Sequence, residues 1–180
     1  MKKLLLIAFA VLSLNAFALS VNVGASYQKS SFTTDTGLFD AVSGGSNVHD
    51  YDDPVLAVNV ELTQGFILGE IGAGASYEQG YKYDALGIEY DAVPVYGILK
   101  INLFPIGIKP YVSAKYGTIL YLNQKGIDLD NGQYLSVGLG VTLIDTLQLE
   151  GSLNANKTKD ASGTDIVNGS YGLTLRYNTY

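Results

Sequence analysis

The sequence predicts an all-β fold: a transmembrane, eight-stranded, antiparallel up-and-down β-barrel. Three observations lead there. Apolar and polar residues alternate with a period of two, as in Leu19, Val21, Val23, Ala25 and Tyr27 against Ser20, Asn22, Gly24 and Ser26. A period of two gives a strand with one apolar and one polar face. Such stretches number eight, joined by connections that alternate short and long. Their polar parity carries small residues and only six charges. A soluble eight-stranded barrel such as a lipocalin would turn that poorly charged parity to water, whereas soluble surfaces are rich in charge. The apolar parity therefore belongs against lipid and the polar one in a lumen.

In chain order, Lys2 and Lys3 precede the apolar run Leu4–Leu14, and Ala16-Phe17-Ala18 supplies a small-x-small site. Residues 1–18 read as a secretory signal peptide and 19–180 as the barrel domain. Loss of Lys2 and Lys3 would take the net charge from −6 to −8. No later apolar run approaches the ~20 residues of a transmembrane helix. The absence of cysteine removes disulfides, thiolate metal sites and thiol chemistry. The acidic balance argues against a nucleic-acid partner.

The expected strands are 19–27, 55–63, 66–77, 92–103, 110–121, 133–143, 147–155 and 168–177. Turns are expected at Gln64-Gly65, 104–109 and 144–146, and long loops at 28–54, 78–91, 122–132 and 156–167. Short periplasmic turns alternating with long extracellular loops fit an outer-membrane barrel with both termini periplasmic.

Within the strands, Glu61, Glu70, Lys100, Lys115, Glu150 and Arg176 all take the lumen parity, close to the periplasmic turns or the chain end. Charges facing lipid at the midplane would cost about 2–4 kcal/mol for Arg or Lys. Three acids and three bases in so narrow a barrel suggest one paired network, with Glu70 meeting Lys100 and Glu150 meeting Arg176. A structural plug is the expectation, and a small-ion path the alternative. Tyr27, Tyr77 and Tyr171 take the lipid parity near the loop ends of their strands and Tyr177 near the periplasmic end. Those are the places where interfacial aromatic rings gather. Tyr96, Tyr111, Tyr121 and Tyr134 have lumen parity.

The central segment Val93-Pro94-Val95-Tyr96, Lys100-Ile101-Asn102-Leu103-Phe104 and Lys109-Pro110-Tyr111-Val112 resembles the small eight-stranded outer-membrane proteins of the OmpA/OmpX/Ail and opacity-protein type. The resemblance implies a Gram-negative surface protein and a last strand read by the barrel-assembly machinery through an aromatic residue. Tyr171, Leu173, Leu175 and Tyr177 alternate as that requires, but Tyr180 has the opposite parity. Either a bulge at Asn178-Thr179 restores it, or Tyr177 takes the role.

Chemistry is poorly supplied. The one histidine, His49, stands near Ser43, Ser46, Asp50 and Asp52 in the first long loop, a weak setting for a triad. Asp50, Asp52 and Asp53, and separately Asp128 and Asp130, are candidate divalent-cation sites without a recognised ligand spacing. These acids could also be bridged by a cation to lipopolysaccharide. Nothing implies a cofactor. The first loop, 28–54, holds Phe32, Leu38, Phe39 and Val42, which suit an extracellular partner. The expected function is non-enzymatic: surface interaction, adhesion or envelope stability, in contact with outer-membrane lipid and lipopolysaccharide. A narrow channel and a lipid-modifying enzyme are the rivals.

Overall fold

The computed structural model describes residues 19–34, 48–50, 53–84, 87–104, 109–144 and 146–179. The leader read in residues 1–18 lies outside them, as does Tyr180. The strands are β1 (Leu19–Thr34), β2 (Val48–Asp50), β3 (Val55–Phe66), β4 (Gly69–Tyr83), β5 (Ile88–Asn102), β6 (Lys109–Lys125), β7 (Gly132–Ile144), β8 (Leu147–Lys159) and β9 (Asp165–Thr179). Neighbours in sequence pair antiparallel from β3 to β9, and β1 joins β3 on one side and β9 on the other. Eight long strands thus close a barrel. β2 is a three-residue addition on the loop end of β1, pairing Phe32 with His49.

All eight expected strands are present, and most run further toward the loops than the alternation suggested. Residues 78–83 and 88–91, expected in a loop, belong to β4 and β5. The physical reason is a bulge. Glu78 pairs with Ala92, but the next pair is Tyr81 with Tyr90. Gly80 takes up the extra residue at a φ of 100°, a backbone conformation that side chains resist. The bulge flips the parity, so Tyr81 turns inward and the period of two is lost to a sequence reader. A second shift separates Glu89–Lys125 from Asp91–Leu122, beside Asn123 at a φ of 53°.

The first turn also needs correcting. Gln64 and Gly65 are ladder residues, paired with Ile71 and Glu70, and the chain reverses over Ile67-Leu68. Gly69, just after it, lies so close to the Lys100 carbonyl that a side chain has no room. The glycine that matters follows the turn, and the turn itself is apolar because it borders the lipid belt.

Outward positions are aliphatic around the whole wall: Val23, Val58, Val60, Leu99, Leu139, Leu173 and Leu175 are all exposed. β6 has 17 residues. At ~3.3 Å per residue it is about 55 Å long, and at a tilt of ~40° it stands about 40 Å tall against an apolar band of ~25 Å. The surplus lies on the loop side, where the bulges are.

Candidate functional site: the barrel interior and its rims

The interior is filled in three tiers. The lowest, toward the turns, holds Glu61, Lys100, Lys115, Glu150 and Arg176, each almost wholly buried, with Glu70 partly exposed. Glu61 stands at the centre: Lys115 Nζ is 2.9 Å from it, Lys100 Nζ 3.2 Å and Arg176 Nε 3.5 Å. Arg176 Nη2 donates to Glu150 Oε1 at 2.7 Å, and Lys115 lies 3.6 Å from that carboxylate. Lys100 also reaches Glu70 at 3.4 Å and donates to Gln148 Oε1 at 3.2 Å. Hydroxyls complete the tier. Tyr96 donates to Glu61 at 3.2 Å and Ser113 to Glu150 at 2.9 Å. Lys115 sits 4.9 Å from the centroid of the Tyr96 ring, a cation–π distance. Room for these long side chains comes from opposite glycines. A Cβ on Gly24 would stand 2.6 Å from Arg176 Cγ, and one on Gly140 would run into the Tyr111 ring.

The middle tier is built on Glu78, which belongs to β4 and not to the expected 78–91 loop. Its carboxylate accepts from Tyr81 at 2.7 Å and from Gln28 Nε2 at 3.3 Å. Gln28 Oε1 in turn accepts from Ser170 at 3.0 Å and from Asn154 Nδ2 at 3.3 Å. The signal was present: Ser76 and Glu78 continue the lumen parity of β4. With Glu78 included, the deeply buried acids Glu61, Glu78 and Glu150 number the same as the bases Lys100, Lys115 and Arg176. A gap of about 20 Å³ separates Glu78 and Asn59 from Lys115 and Arg176. That is room for about one water.

The upper tier is apolar and aromatic. Tyr81 stacks on Tyr90 with centroids 4.8 Å apart, and Tyr121 meets Tyr90 edge-on at 5.4 Å. Val55, Ile88, Ala92, Ile119, Leu129 and Ile166 close around them. Leu129 is brought over the barrel mouth by the 126–131 loop, pinned by Asp130 N to Lys159 O at 2.9 Å and Ala161 N to Asp128 O at 3.1 Å. The backbones of Asp128 and Asp130 thus tie down the loop. Among the described residues no group of three His, Asp or Glu could hold a metal ion.

No protein-family model and no curated protein matches the sequence. Solved structures do match. Neisserial surface protein A aligns over 87% of this chain and 96% of its own, at 8% identity and a TM-score of 0.58. The outer membrane protein OprG from Pseudomonas aeruginosa aligns over 91% of this chain and 96% of its own, at 10% identity and a TM-score of 0.50. The fold is that of the small transmembrane β-barrels. At these identities the fold is what is shared.

On a barrel of this kind the outward tyrosines mark heights. Tyr27, Tyr77 and Tyr171 stand outward toward the loops and Tyr177 toward the turns, all well exposed. Tyr116 joins the first group, and Phe66 and Phe104 stand outward at the turn side, three aromatic residues beyond the interfacial four expected from the sequence. Tyr96, Tyr111, Tyr121 and Tyr134 are buried inside. β9 keeps its register through Asn178–Asn22 and Thr179–Val21, so no bulge interrupts its described part. Tyr177 is the last outward aromatic residue described.

The candidate catalytic and first-loop groups are less informative. His49 and Asp50 lie in β2, a backbone placement only, and Ser43, Ser46, Asp52, Leu38, Phe39 and Val42 lie outside the described residues. Asp53 is exposed. At the β8–β9 tip, Asp160 Oδ1 accepts from Ser162 Oγ at 2.6 Å and from the Thr164 amide at 2.8 Å. Those donors hold the Asp160 carboxyl below its ordinary pKa.

Proposed function

We propose that this chain is an integral outer-membrane protein with a closed interior, one that carries out no reaction and works through its extracellular face. On this reading residues 1–18 are a signal peptide, both termini are periplasmic, and the longer loops face outward. The role is surface interaction or adhesion, or support of the envelope, with the 28–54 loop as the partner-seeking element.

The observation that carries the reading is the three-tiered filling. A charge cluster, an amide layer and a tyrosine layer succeed one another along the lumen. Each charge in the lowest tier has an opposite charge within 4 Å. An ion would need a wet path past all three tiers, and the middle one leaves a gap of about 20 Å³.

Planar-bilayer recording of the refolded protein tests this. The expected trace is flat, and stable unitary openings would replace the closed barrel with a narrow ion channel. Mass spectrometry of lipid A from cells with and without the gene should give identical profiles. A changed profile would make the protein a lipid-modifying enzyme.

A further inference from the structure

Two surface cavities stack on one strip of the wall, formed by β7, β8 and β9. The lower, of about 440 Å³, is apolar and lies in the lipid belt between Val137, Leu139, Leu153 and Tyr171. Its floor is Gly151, which takes the lipid-facing parity between its register partners Leu139 and Leu173 and so leaves a notch there. The upper, of about 410 Å³, is lined by Asp130, Asn131, Gln133, Lys157, Lys159 and Asp165. Between the two lies the cross-strand pair Leu135 and Ala155. From Leu153 to Lys157 is four residues, about 13 Å along the strand. An apolar slot thus lies about one lipid headgroup below a lysine-bearing one.

The charges single out this strip. The chain is acidic overall, at −6. The comparable rim groove on β4–β6 sets Glu89 and Asp91 against Lys125 alone. On β8, by contrast, Lys157 and the exposed Lys159 project together and balance the two acids of the groove, Asp130 and Asp165, the latter 2.7 Å from Lys157. Two lysines favour an anionic group, and the Asn131 and Gln133 amides suit hydroxyls.

We propose that this strip holds one molecule of a phosphorylated glycolipid of the outer leaflet. An acyl chain lies over Gly151, a phosphate meets Lys157 and Lys159, and sugar hydroxyls meet Asn131 and Gln133. The inference rests on the outer-membrane reading above.

Native mass spectrometry of the detergent-solubilised barrel tests it, with diphosphoryl lipid A, dephosphorylated lipid A and phosphatidylglycerol as probes. One diphosphoryl lipid A should be retained, at least tenfold more tightly than either other lipid. The Lys157→Gln/Lys159→Gln pair should remove that preference, while Lys109→Gln on the turn side should keep it. Gly151→Leu, which fills the notch, should weaken retention severalfold with the folded gel mobility unchanged. Equal retention of the three lipids, or full retention by the lysine pair variant, overturns the proposal. Sucrose-gradient fractionation of cells separates the two failures. Outer-membrane protein without lipid preference removes only this site, whereas its absence from the outer membrane removes the reading beneath it too.

Discussion

Lys115→Met tests whether the lowest tier holds the barrel together. Lys115 is buried, 2.9 Å from Glu61 and 3.6 Å from Glu150. Methionine keeps most of its length and removes the charge. Glu61 then retains Lys100 and Arg176, but Glu150 is left with Arg176 as its only cation within 4 Å among the described residues. Breaking a buried ion pair from one side costs about 3–5 kcal/mol, because the partner's desolvation is no longer offset. At about 1.4 kcal/mol per tenfold, the folding constant should fall by about two to four orders of magnitude. Adding Glu61→Gln should recover part of this, since the nearer of the two carboxylates facing the vacated site is then neutral. The cycle should show a coupling of about 1–3 kcal/mol. Urea unfolding in phospholipid vesicles, read by the heat-dependent gel shift and by tyrosine fluorescence, measures each corner. A loss under about 1 kcal/mol for Lys115→Met, or strict additivity in the cycle, would show that this lysine is solvated and the tier is no structural network.

Other consequences can be measured the same way. Gly140→Ala drives a methyl group into the Tyr111 ring and should cost about 1–3 kcal/mol, whereas Gly151→Ala, with only the Leu139 carbonyl at 4.0 Å, should be nearly silent. Equal effects of the two would refute the packing argument. Leu173→Arg puts a charge in the lipid belt and should cost about 2–4 kcal/mol in vesicle unfolding; a silent variant would place that face in water. Asp160 should titrate below its ordinary value of 3.8 by carbon-detected NMR. Because its folded pKa is lowered, the help it gives the β8–β9 tip is present above the unfolded value and lost as pH falls through the folded one. Asp160→Asn should remove that acid-dependent change in the Ser162 and Thr164 amide signals.

Much of this molecule could be read from residue parity, and the limits of that reading have local causes. Inside the belt, lipid and lumen enforce strict alternation, so Val58, Val60 and Leu62 against Asn59, Glu61 and Thr63 name their faces without a structure. Above the belt that demand lapses. There Gly80 shifts the register and Tyr81 turns inward, and Glu78, the middle tier's only acid, is the last residue of β4 to keep the lumen parity before the bulge. Tyr81 and Tyr90 are illegible for the same reason, lying beyond the bulges in β4 and β5, whereas their neighbour Tyr121 on β6 keeps the lumen parity the sequence shows. Gln64-Gly65 misled in another way. Turn composition points to glycine pairs in water, but at the membrane edge the reversal falls on Ile67-Leu68.

The lowest tier draws its charged side chains from β3, β4, β5, β6, β8 and β9. Glu61 meets Arg176 only after β1 has joined β9, a seam that brings Ser26 beside Thr174 across 148 residues. Neighbouring strands can pair Glu70 with Lys100 and Glu150 with Arg176, but an unclosed sheet leaves Glu61 without Arg176, on a face that lipid would not tolerate. Such a sheet gains little by entering the bilayer early, and a complete one gains everything in the last step. The polar centre thereby acts as a checkpoint on ring closure, making half-barrels poor residents of the membrane and insertion an all-or-none event.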